Sequence, residues 1–309
     1  MHVVLLCATR RGHRVLQKLI DWLHRADFSV FSFREEPWEP PFLDDIRILT
    51  ESVGGQFYET KQVGSARWST FWESTPVDLL FAVNWRYLLP SNVYQRPRLG
   101  SYAFHDSLLP EYRGFSPTVW AMINGEDHTG ATLFEIADEV DTGDIVDQEL
   151  VPIGPHDTIA HVVERTTEAY LLVLERSLDS LVTGTFVRRP QDHARATYVP
   201  KRLPEDNRID WHSSSQEIYN LIRAVSSPYP GAYTYLDGKL VRVWSAAPVK
   251  SARRYVGRIP GRVVEVHPRE GAVVLTGDGA ILITEVQREG GEIVAATNVL
   301  NSLSQTLGA

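Results

Sequence analysis

Residues His2 to Ala8 read HVVLLCA, an unbroken apolar run that restricts the fold more than any other stretch of this chain. A strand apolar on both faces must be buried on both, which in practice means a parallel strand in a sheet covered by helices. Val15, Leu16, Leu19, Ile20 and Leu23 then recur at helical spacing after Gly12, which is expected to open the helix, and FSVFSF (28–33) supplies a second strand. VDLLFAVN (77–84) and SYAFH (101–105) continue the alternation, so the chain reads as α/β with a Rossmann-like N-terminal sheet. The turn ATRRGH holds one glycine rather than GxGxxG, and no dinucleotide is expected there.

At 309 residues the chain exceeds one typical core and predicts two domains. Residues 190–211 are polar and punctuated by proline, as in a linker. SSSQEIYNLIRAV follows as a capped helix, with Gln216 in the capping-box place. From Ala232 the pattern is short strands and turns, with hairpin signals at Asp237-Gly238 and Asp278-Gly279. The expected division is a catalytic domain over 1–189, a strap over 190–210 and a smaller OB-like β-barrel over 211–309.

A single cysteine, Cys7, excludes a disulfide scaffold and a zinc cluster and indicates a reducing compartment. MHVVLLCA is too short for a signal sequence or a membrane span, so a cytoplasmic location is expected, with no membrane partner. The net charge of -8 argues against nucleic acid as a partner. From Pro204 onward the acidic and basic residues balance at eleven each, so neither half is built for RNA. The oligomeric state is not legible, and a homodimer is compatible with the sequence.

Ligands of open α/β sheets bind outside the carboxyl ends of the strands. NWRYLLP therefore offers Trp85, Arg86, Tyr87 and Leu88 as a ligand wall, with Arg86 as an ordinary surface cation the competing reading. SYAFH delivers His105 to the same edge. Read alone, His105 is a core histidine; Asp141, in the hairpin loop ADEVDTGD, changes that reading. A carboxylate against a ring nitrogen fixes the tautomer and stabilises the imidazolium, which makes a base. Between them SLLPEYRG forms a shaped loop in which Ser107, Tyr112 and Arg113 offer polar groups. Asp138, Glu139, Asp141 and Asp144 lack the spacing of a calcium loop, so no metal is expected. Trp38 either stacks on a ligand or, as a loop aromatic, packs on its own domain.

HDSLLPEYRGFSP, followed by W, NGE, TG and DTGDIV, resembles the formyltransferase family that uses 10-formyltetrahydrofolate and includes methionyl-tRNA and nucleotide-sugar formyltransferases. RIDWHSSSQEIYNLIRAVSSPYPGAY and GDGAILITEVQ are similar to the family's C-terminal barrel. The resemblance implies that an acceptor amine attacks the folate's formyl carbon, that His105 assists proton transfer, and that Asp141 orients His105. It also implies that the pterin lies along Trp85 to Leu89 and the loop carrying Asp138, Glu139 and Val140.

Two departures bear on chemistry and substrate. Where the family has an asparagine two residues before the histidine, as an oxyanion donor, this chain has Ala103. Loss of one such donor typically slows acyl transfer by about 100- to 1,000-fold. Three explanations stand: a disabled variant, a relative in which Arg86, a backbone N–H or Ser107 replaces the amide, or a protein that has left the reaction. The last would be an acyltransferase with another donor such as a CoA thioester, or a non-catalytic folate- or nucleotide-sugar-binding relative. Second, REEPWEPPFLDD is acidic where methionyl-tRNA formyltransferases carry a basic, glycine-rich insertion. LPEDNRIDW and SQTLG look like the enzymes acting on UDP-4-amino-4-deoxyarabinose, so a nucleotide-linked amino sugar is the expected acceptor. Arg113 and Arg202 are then diphosphate or sugar contacts, with structural ion pairs as the alternative.

Overall fold

The computed structural model describes residues 1–249 and 253–308. The chain divides into two compact units, the first made of residues 1–117, 129–152 and 164–199, the second of 118–128, 153–163 and the residues from 200 onward. The strands of the first unit are β1 (His2–Cys7), β2 (Asp27–Ser32), β3 (Gln56–Glu59), β4 (Leu79–Val83), β5 (Ser101–His105), β6 (Arg113–Gly114), β7 (His128–Glu135), β8 (Ile145–Pro152) and β9 (Tyr198–Val199). Seven of them form one sheet in the order β3-β2-β1-β4-β5-β7-β8, while β6 pairs with β9. β1 to β5 run parallel and β7 turns antiparallel against β5. Strand order therefore reverses between β1 and β4, the crevice where ligands of such sheets bind.

The apolar run behaves as its composition requires, with Val3 to Ala8 fully buried. Helix α1 (Thr9–Trp22) lays Val15, Leu16, Leu19 and Ile20 on the sheet. It begins three residues before Gly12, because Gly12 serves close packing rather than initiation: a Cβ there would stand 2.8 Å from Cys7 Cβ. Arg10, Arg14 and Lys18 of α1 pair with Glu164, Glu168 and Glu175 of the long helix Ile159–Thr183.

In the second unit, β10 (Ala232–Leu236), β11 (Lys239–Pro248), β12 (Val263–His267), β13 (Gly271–Leu275), β14 (Ala280–Arg288) and β15 (Ile293–Ala295) form an antiparallel sheet. The Asp237-Gly238 hairpin joins β10 to β11, both residues at positive φ as a two-residue turn demands. Thr306 bridges to Arg262 and Leu307 to Leu236, so the end of the chain links β10 to the segment leading into β12. The helix Ser215–Val225 is capped by Ser214, and the reciprocal partner is Glu217 rather than Gln216, because the third helical residue is the one that reaches back to the cap N–H.

Candidate active site

β5 carries His105 to the carboxyl edge of the sheet, where the ring is buried. Its Nε2 lies 2.8 Å from the Tyr112 carbonyl, which only accepts, so Nε2 is the protonated nitrogen. In the neutral ring Nδ1 holds the lone pair, and it faces Asp141 Oδ2 at 3.6 Å. The same Oδ2 accepts the Gly114 N–H at 2.8 Å. Sequence reasoning gave tautomer control to Asp141; the structure gives it to the backbone of Tyr112, since the carbonyl is within hydrogen-bond range and the carboxylate is not.

Tyr112 and Asp141 both hold left-handed backbone, with φ of 59° and 57°. Such conformations persist only where surrounding contacts enforce them. Gln191 supplies those at the Asp141 loop. Its Nε2 donates to the carbonyls of Asp141 (2.9 Å) and Gly143 (2.7 Å), and its Oε1 accepts from Arg113 Nη2 at 2.6 Å. Arg113 is 1% exposed and also donates to the Tyr198 hydroxyl and His193 Nδ1. Its guanidinium braces the loop from inside, which is not the diphosphate contact expected of it. Ser107 is likewise buried and donates to the Glu111 carbonyl at 2.6 Å.

Ala103 packs against Leu109, Phe134 and Ile145, an apolar setting in which its methyl group donates nothing. Neither side chain named above as a substitute takes its place. Ser107 is committed as described, and Arg86 is paired with Glu39 through Nη1 and Nη2.

Beyond β4, Trp85, Leu89 and Ile136 pack on one apolar cluster, which brings the β4 loop beside the loop after β7. Trp85 and Tyr87 meet Phe33 edge-on at 5.4 and 5.1 Å. Leu88 is 79% and Val140 49% exposed, while Asp138 accepts from the Tyr94 hydroxyl. Trp85 Nε1 is buried without a hydrogen-bond partner. Apolar side chains on two neighbouring loops thus form a partly exposed wall at this edge of the sheet. Trp38 stands 43% exposed in the proline-rich loop.

Residues 25–177 match the family described as formyl transferase, and residues 202–304 match the formyl transferase C-terminal domain. The chain belongs to the formyl transferase family. It is similar in structure to HypX from Aquifex aeolicus in complex with tetrahydrofolic acid, with 20% identity, a TM-score of 0.64 and 96% of this chain covered. It spans about half of HypX, 46% of that chain. WlaRD, a sugar 3N-formyl transferase solved with dTDP and 5-N-formyl-THF, matches at 16% identity and TM-score 0.67, covering 93% of this chain and 97% of its own. The methionyl-tRNA formyltransferase of Clostridium thermocellum matches at 16% identity and TM-score 0.59, covering 81% and 94%.

A second polar cluster lies behind His105. Asp106, the next residue, accepts from Arg11 and from the Tyr170 hydroxyl, and Arg11 Nε donates to Thr167 Oγ1 at 3.2 Å. Burial acts to raise the Asp106 pKa, but the Arg11 guanidinium, the Tyr170 hydroxyl bond and the neighbouring His105 together hold the carboxyl below its ordinary value. Burial and then the Asp106 charge push Tyr170 well above the usual phenol range.

Arg202 belongs to the second unit, where it covers the Trp120 ring at 4.9 Å and donates to Asn207 Oδ1. Sequence reasoning missed Gln191, one polar residue in a polar strap, and Asn84, whose signal was its place at the end of a buried strand.

Proposed function

We propose that this formyl transferase moves the formyl group of 10-formyltetrahydrofolate to the amine of a nucleotide-linked amino sugar, and that it works in the cytoplasm. The observation that carries the reading is the His105–Asp141 pairing at 3.6 Å on the carboxyl edge of the sheet. 10-Formyltetrahydrofolate supplies an electrophilic formyl carbon and, in N10, the nitrogen that leaves. Trp85, Tyr87, Leu88 and the loop of Asp138, Glu139 and Val140 hold it. His105 receives the proton of the acceptor amine at Nδ1, and Asp141 stabilises the imidazolium, an effect worth about 100- to 10,000-fold in such sites. The resulting Nδ1–H is positioned to return the proton to the leaving nitrogen.

For the acceptor, the acidic 34–45 loop and the net charge of -8 favour a small molecule over tRNA. The test is formyl transfer from 10-formyltetrahydrofolate to a panel of UDP- and dTDP-linked 3- and 4-amino sugars, with methionyl-tRNA alongside. Formylation of one amino sugar and not of the tRNA supports the reading. Formylation of methionyl-tRNA alone, or of nothing, contradicts it.

A further inference from the structure

A formyl carbon attacked by an amine becomes tetrahedral, and its oxygen takes up negative charge that a preorganised donor must meet. Ala103 has none to give, and Ser107 and Arg86 are committed elsewhere. Asn84 is not. β4 and β5 pair in parallel with Ala82 opposite Ala103, and Asn84 and His105 each follow by two residues, so they leave adjacent strands at one level. Asn84 Nδ2 donates one hydrogen to Thr9 Oγ1 at 3.0 Å, while its other amide hydrogen and its Oδ1 have no side-chain or backbone partner among the described residues.

The backbone shows that this place is held on purpose. Asn84 has φ of 53° and Thr9 has φ of 64°, left-handed conformations at the ends of β4 and β1, on either side of the crevice where strand order reverses. For a β-branched residue such as threonine that backbone is a genuine outlier. It is enforced by Glu35, whose Oε1 accepts the N–H of Thr9 at 3.3 Å and that of Phe42 at 3.1 Å. A buried carboxylate fixes Thr9, and Thr9 fixes the Asn84 amide.

We infer that Asn84 is a catalytic residue that donates its free amide hydrogen to the formyl oxygen during transfer, with Thr9 as its positioning residue. The inference rests on the formyl-transfer reading. The amine nitrogen bonds to the formyl carbon, the C=O pair moves onto oxygen against Asn84, and the amine proton goes to His105. When the C=O re-forms, the bond to N10 breaks and N10 takes the proton, leaving an N-formyl amine and tetrahydrofolate.

The test compares the wild-type chain with Asn84→Gly, which removes the amide yet suits positive φ, and with Thr9→Val, which keeps the shape and removes the acceptor. Formyl transfer to the reactive amino sugar and hydrolysis of 10-formyltetrahydrofolate to formate are both followed. Asn84→Gly is expected to lower kcat about 100- to 1,000-fold with KM for the folate changed only a few-fold, and Thr9→Val to lower kcat about 10-fold. A wild-type chain that formylates no amino sugar overturns the acceptor reading while the hydrolysis rates still decide the role of Asn84. Unchanged kcat in Asn84→Gly, or a wild-type chain that neither transfers nor hydrolyses, overturns the inference.

Discussion

Asp141 Oδ2 sits 3.6 Å from His105 Nδ1 while accepting the N–H of Gly114 at 2.8 Å. The gap to the ring exceeds a hydrogen bond, and such contacts in catalytic sites close as charge develops. With Nε2 committed to the Tyr112 carbonyl, a proton arriving at Nδ1 lands directly against the carboxylate.

Asp141→Asn keeps an oxygen for Gly114 and removes the charge. It is expected to lower kcat by about 100-fold or more with little change in melting temperature. A variant within threefold of wild type would mean that the carboxylate serves only to hold the loop.

Gly114 has φ of 110°, and a Cβ there would stand 2.3 Å from the Val199 carbonyl oxygen, which accepts the Phe115 N–H. Gly114→Ala therefore forces β6 from β9 and is expected to cost about 2–4 kcal/mol in denaturant unfolding. An unchanged midpoint would show that the strap yields without penalty.

Arg11, which is buried, and Asp106, which is partly buried, form an ion pair beside His105. Arg11→Met leaves the carboxylate uncompensated and is expected to cost about 3–5 kcal/mol. The pH dependence follows from the sign of the shift. Because the folded-state pKa of Asp106 is depressed, its contribution is complete above the unfolded value of about 4 and is lost as pH falls through the lower folded value. Asp106→Asn, less stable at neutral pH, should lose less stability than wild type between about pH 5 and about pH 2. Parallel acid-unfolding curves would refute this.

Much of the fold was legible because it rests on periodicity. The run of Val3 to Ala8 cannot be satisfied outside a covered sheet, and Asp237-Gly238 can scarcely be anything but a hairpin turn. His105 and Asp141 were legible as a pair because a strand end and a hairpin loop bring them to one edge. What the sequence hid was commitment. A buried Arg113 held by Gln191, Tyr198 and His193 looks, as letters, like a free phosphate contact. Asn84 hid for the opposite reason, since its half-committed amide depends on a backbone conformation that no periodicity encodes.

Ala103 and Asn84 are also expected to be energetically coupled. Ala103→Asn restores a carboxamide two residues before His105, and if Asn84 already serves the oxyanion the gain in wild type is smaller than in Asn84→Gly. A double-mutant cycle on kcat, with a coupling of about 1 kcal/mol or more, would show that the two amides serve one oxygen. Strict additivity would show that they do not.

The account stands most directly on single-turnover transfer of a radiolabelled formyl group from saturating 10-formyltetrahydrofolate to the amino-sugar panel, by wild type and by His105→Asn. Label in the N-formyl sugar, formed about 100-fold or more slowly by His105→Asn, is the predicted result. Equal rates from the two proteins, or label that never leaves the folate, would contradict it.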